Sequence, residues 1–180
     1  SLATLAGFDG YIEADVNEWL TPFASARFVE GRDHSRNGSF GTTQATPTTA
    51  STRDPSLVRG QASGFFTGTE EPLPQMPPLE ARLGLRLHEP GENPAWWCEF
   101  SARIVDDQDR VATSLGEQKT PGFTTFDVRS VWRPTDQLQL TAGIENLTDK
   151  SYQEHLDFRS PQSRMYQPGR SLYFGSELSW

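Results

Sequence analysis

The chain has 180 residues, 24 acidic against 16 Lys and Arg, a formal net charge of -8, and only 34% hydrophobic residues. That length bounds it to one domain, and the acidic balance excludes the basic stripe that a nucleic-acid surface needs. No window approaches the roughly 18 consecutive apolar residues of a membrane-spanning helix, which leaves a strand-built membrane protein open. Cys98 is the sole cysteine, so an internal disulfide and a Cys-cluster metal site are both excluded. Ser1 opens no basic and apolar leader. Any targeting signal is therefore expected outside residues 1–180, and the chain is expected to be a piece of a longer protein or a processed form.

Taken in chain order, the segments alternate with a period of two, the signature of strands. Near the start, Phe8, Ile12, Ala14 and Val16 oppose Asp9, Tyr11, Glu13 and Asp15. Thr21 to Glu30 reads as extended without a clear assignment of faces. Leu79, Ala81, Leu83, Leu85 and Leu87 form one face against Glu80, Arg82, Gly84, Arg86 and His88. Trp96, Cys98, Phe100, Ala102 and Ile104 then oppose Trp97, Glu99, Ser101, Arg103 and Val105. Phe126, Val128 and Trp132 oppose Thr125, Asp127 and Arg129, and Leu138, Leu140, Ala142 and Ile144 oppose Gln139, Thr141, Gly143 and Glu145. In the last segment Leu172, Phe174, Leu178 and Trp180 oppose Tyr173, Gly175, Glu177 and Ser179. A helix would scatter these residues round its circumference.

The pattern predicts an all-β chain of about seven antiparallel strands, each about ten residues long, the span a tilted strand needs to cross a bilayer. The polar faces mix charges of both signs with Tyr, Thr and Gly, which suits the inside of an up-and-down transmembrane β-barrel with its apolar face toward lipid. The connections alternate in length. Short links fall at 17–19, 89–94 and 134–136; long ones fall at 33–75, 106–122 and 148–169. Outer-membrane barrels pair tight periplasmic turns with long extracellular loops in this way. Counting back from Trp180, every short link lies on the same side as the C-terminus. Trp19, Trp96, Trp132 and Trp180 near that side read as an interface girdle.

Two motifs sharpen this expectation. The end of the chain, Tyr173, Gly175, Leu178 and Trp180, resembles the C-terminal assembly signal of outer-membrane proteins, which implies the barrel-assembly machinery as a partner. The segment Asn146, Leu147, Thr148, Asp149, Lys150 and Tyr152, preceded by Thr120-Pro121-Gly122-Phe123, resembles the closing region of TonB-dependent receptors. Ala6-Gly7-Phe8-Asp9 and Leu73-Pro74-Gln75-Met76-Pro77-Pro78 are similar to other strand entries of that family. The resemblance implies a bacterial outer-membrane location and a barrel of about 22 strands around a plug, of which residues 1–180 would supply the C-terminal part. It also implies energy-dependent uptake of a scarce small molecule (a siderophore, metal chelate, cobalamin or glycan) through a TonB complex. The plug and the TonB box are not present in these residues. In the Asn146 motif, Asn and Asp are expected to bond their own backbone and end the strand in a defined turn. Asn146-Leu147-Thr148 also matches the glycosylation pattern, which carries little weight in a bacterial barrel.

Other candidates are weaker. Asp106, Asp107 and Asp109 could offer oxygens to a hard cation, but a solvated acidic loop tip is the plainer reading. His34, His88 and His155 sit on different elements, and a His pair holding a metal is the sharper but less economical account. No Gly-x-Ser-x-Gly elbow or paired carboxylate environment is present, so neither an enzyme nor a cofactor is expected. The alternatives are another outer-membrane barrel (a porin or translocator), a soluble β-sandwich binding module whose apolar faces meet, and an esterase-type barrel enzyme, for which no lumenal Ser/His pair is visible.

Overall fold

A computed structural model describes residues 3–34, 71–157 and 165–180. They form one antiparallel sheet: β1 (Ala3–Glu13), β2 (Leu20–Asp33), β3 (Glu71–Pro72), β4 (Glu80–His88), β5 (Trp96–Val105), β6 (Phe123–Thr135), β7 (Leu138–Glu145) and β8 (Ser171–Leu178). Seven strands pair in sequence order, β1-β2-β4-β5-β6-β7-β8, while the two-residue β3 pairs with the end of β2. The order is a meander, each strand beside its predecessor, and β1 and β8 form its two edges. The expected all-β, up-and-down architecture is the one observed.

Register fixes the faces. Ile12, Ala24, Leu83, Ala102 and Phe126 stand side by side across five strands, and one step along the same face Phe100, Val128, Ile144 and Leu172 carry it across β7 and β8. No second layer covers this face among the described residues: Leu83, Leu85 and Leu87 are each 49% exposed, and Leu172 and Phe174 more than 70%. A soluble sandwich would bury such a stripe against another sheet. Here the stripe meets no protein, as in a strand facing lipid.

At the end of the short links, Trp19 and Trp96 lie with ring centroids 6.5 Å apart, and Trp96 is directly opposite Trp132. Those rings stand on the apolar face at the turn end, where a girdle belongs. The turns themselves are pinned by side chains. Asn17 Oδ1 accepts from the Trp19 backbone amide at 2.9 Å, and Glu89 accepts from the Ala95 amide at 2.7 Å. Strand β6 runs two residues further than its alternation suggested, so the last tight turn is Asp136-Gln137 rather than 134–136. Pro134 has no amide to give the ladder, and the register shifts between Trp132 and Thr135 to accommodate it.

The structure also assigns the faces of the segment that alternation left open. Pro22, Ala24, Ala26 and Phe28 share the apolar face, and Thr21, Phe23, Ser25 and Arg27 the polar one. Phe23 is thus an aromatic ring on the polar side, 9% exposed. It fits because its neighbour is Gly84: a Cβ there would collide with the Phe23 ring. The Arg86 guanidinium lies 5.7 Å from the ring centre. Most of the long connection 33–75, residues 35–70, lies outside the described residues, as does 158–164 of the last connection.

Candidate functional site

The polar face carries a lattice of cross-strand ion pairs. Glu80 takes Arg27 from β2 at 2.8 Å and Arg103 from β5 at 2.9 Å. Arg103 also grips Glu154 from the connection after β7. Arg82 reaches past β5 to Asp127 on β6 at 3.2 Å, and Arg86 pairs with Glu99 at 3.0 Å while lying 5.8 Å from the Trp97 ring centre. Arg129 donates to the Tyr173 hydroxyl at 3.1 Å. The carboxylates that look like singles along the sequence are therefore mostly partnered across strands, because residues far apart in the chain become neighbours when the register is fixed.

At the loop end the connections fold onto this face. Residues 148–157 start from a tight turn at Asn146, whose φ of 52° lies in the left-handed region that Asn tolerates. Its side chain accepts from the Lys150 amide and donates to the Lys150 carbonyl, both at 2.8 Å, while its own amide donates to Asp127 at 2.9 Å. Asp149, also at positive φ, accepts the Arg170 amide at 2.9 Å and so ties the turn to the start of β8. From there Tyr152 packs on Phe123 with ring centroids 4.1 Å apart, Glu154 meets Arg103, and His155 is buried. Burial first, with the nearby Glu154 charge adding, lifts the Tyr152 phenol above its ordinary value, so it stays protonated as a donor.

His155 Nδ1 lies 2.8 Å from the Thr120 hydroxyl, and its Nε2 lies 3.2 Å from Glu117. The same Glu117 carboxylate accepts from the amides of Gln75 at 2.7 Å and Ala112 at 2.6 Å. One acidic side chain thus joins three connections. Gln108, fully buried, donates its side-chain amide to the Met76 carbonyl at 2.6 Å and bridges to Thr120 through the backbone. Alternation and turn signals reveal none of this, since most of these bonds cross between connections and the rest join residues of one connection that have no regular spacing.

The remaining sequence candidates are scattered. His34 lies 3.0 Å from the Thr4 hydroxyl, and His88, at the turn end, 3.0 Å from Thr21. Asp106 accepts the Asp107 amide at 2.9 Å, Asp107 accepts the Gly122 amide at 2.6 Å, and Asp109 pairs with Lys119 at 3.1 Å. Among the described residues, no three His, Cys, Asp or Glu side chains converge as a metal site would require. Of the terminal residues, Tyr173 lies over Gly143, where a Cβ would strike its ring; Leu178 pairs with Leu138 on the apolar face, Gly175 with Thr141, and Trp180 is fully exposed beyond β8.

Between β6, β7 and the returning chain, at the loop end of the polar face, lies a cavity of about 300 Å³. It is lined by Arg103, Thr125, Asp127, Glu145, Tyr152 and Gln167 among others.

The sequence profile of the family described as "TonB dependent receptor-like, beta-barrel" matches residues 7–147. The chain belongs to this family. It is therefore part of an outer-membrane receptor barrel, and the exposed apolar face is the one that meets lipid. No curated protein sequence matches it. Among solved structures, the receptor sheet is similar to one titled "Copper transporter OprC", with a TM-score of 0.71, 24% identity, and coverage of 99% of this chain and 24% of that one. It is also similar to "Structure of the FpvAI-pyocin S2 complex", with a TM-score of 0.53, 14% identity, and coverage of 98% and 19%. The receptor chain thus spans about a quarter of the length of the first solved chain. At these identities the likeness is one of fold.

Proposed function

We propose that this chain supplies the C-terminal strands of a receptor that imports a scarce small molecule across the outer membrane, using energy relayed by a TonB complex. The observation that carries this is the family match over residues 7–147, on a sheet whose lipid face is bare and whose polar face is walled by paired charges. A plug and a TonB-contacting segment then belong to other parts of the polypeptide. The described parts of the long connections, at the end opposite the Trp girdle, form part of the extracellular mouth. Siderophores, metal chelates, cobalamin and glycans are the candidate cargo. The name of the copper transporter with a similar fold keeps a metal or metal chelate in that set. The terminal residues Tyr173, Gly175, Leu178 and Trp180 serve recognition by the barrel-assembly machinery, and the Asn146 to Tyr152 motif sets the turn that returns the chain to its last strand.

The test is uptake in a deletion strain carrying the full-length receptor, with and without a functional TonB. Import that raises growth under ligand limitation and disappears without TonB is the expected result. Permeation that persists without TonB would make the protein a porin and overturn the proposal.

A further inference from the structure

The cavity at the loop end of the polar face has an unusual balance of used and unused bonding groups. Arg103 is committed to Glu80 and Glu154, Asp127 to Arg82 and the Asn146 amide, and Gln167 to Asp157. The Asn146 side chain is spent on Lys150. Among the described residues, three lining side chains hydrogen-bond no protein group: the Thr125 hydroxyl, the half-buried Tyr152 hydroxyl and the Glu145 carboxylate, which is exposed. Thr125 is only 3% exposed as a residue and lines the cavity, so its hydroxyl is reached from the cavity side and is free to bond a group placed there.

The character of these groups selects an occupant. An anion would face Asp127 and Glu145 with no uncommitted cation to receive it. A bare metal ion would lack three converging ligands. A neutral group rich in hydroxyls satisfies all three: it donates to Glu145, which only accepts, and exchanges hydrogen bonds with the two hydroxyls, which do both. A volume of about 300 Å³ is at the small end of ligand pockets and suits a single hydroxylated ring. Resting on the reading of this chain as the wall of an uptake receptor, we propose that the cavity is a subsite for an uncharged polyhydroxyl portion of the transported molecule.

The test is calorimetric titration of the full-length receptor, purified in detergent, with maltose as the neutral polyol and citrate as the anionic comparison. Maltose should bind and citrate should not. Thr125→Val and Tyr152→Phe should each weaken maltose about three- to tenfold, the loss of one net hydrogen bond, and Thr125→Ser should restore most of the loss. Heat-modifiable migration on gels shows that each variant is folded. No maltose binding, or binding that the variants leave unchanged, overturns the subsite; a cavity filled by the plug gives the same result. Because binding in detergent does not involve TonB, its outcome is separable from the uptake reading. TonB-independent permeation with intact maltose binding sinks only that reading. TonB-dependent import indifferent to Thr125→Val sinks only the subsite.

Discussion

Leu83→Arg tests the assignment of the lipid face most directly. Leu83 lies five residues from His88 along β4, and His88 is paired with Trp97, at the level of the girdle. Five residues of strand rise about 16 Å; at a tilt of about 40° that is about 13 Å along the membrane normal, half of a lipid-facing band roughly 25 Å tall. Leu83 is therefore at mid-bilayer, half exposed, with Ala24 and Ala102 on either side, too small to shield a guanidinium. An arginine there should cost about 2–4 kcal/mol, and Leu87→Arg, one residue from the girdle level, only about 0–1 kcal/mol. Arg82→Leu, on the opposite face, removes a half-exposed ion pair 3.2 Å long, while Asp127 keeps the Asn146 amide as a donor. It should cost about 1 kcal/mol or less. Equilibrium denaturant titration of the full-length receptor refolded into lipid vesicles measures all three. Equal costs for Leu83→Arg and Leu87→Arg would refute the depth, and equal costs for Leu83→Arg and Arg82→Leu would refute the face.

Gly84→Val should destabilise the barrel by about 1–3 kcal/mol, the range for overpacking, and Phe23→Ala in the same chain should recover part of that loss in a double-mutant cycle. Asn146→Ala removes both bonds to Lys150 and leaves a Cβ residue at positive φ; about 1–3 kcal/mol and faster hydrogen exchange at the Lys150 amide are expected. Glu117→Ala strips the acceptor from the Gln75 and Ala112 amides, so limited proteolysis should cut within 106–122 sooner while the strands remain resistant. Removing Trp180 should reduce the amount of assembled receptor in outer-membrane fractions without changing the stability of what is assembled; an undiminished yield would count against an assembly role.

The strands, their order and most of their faces were legible because lipid on one side and a wet interior on the other impose a strict period of two. Thr21 to Glu30 resisted because its outward residues, Pro22, Ala24 and Ala26, are small or cyclic while its inward row contains Phe23. Only the register with Gly84 explains that inversion. The cavity was hidden for another reason. Thr125, Glu145 and Tyr152 come from two strands and a connection, and what distinguishes them, the lack of any bonding partner, exists only once every other group has found its own. Sequence spacing carries no record of that.

The ion-pair lattice on the inner wall has an electrostatic consequence. Arg27, Glu80, Arg103 and Glu154 neutralise one another within the wall, as do Arg82 with Asp127 and Arg86 with Glu99. A surface whose charges are cancelled from within exerts a weak field on whatever lies against it. Along this stretch the wall presents shape and hydrogen-bonding groups, rather than net charge, to the space it lines.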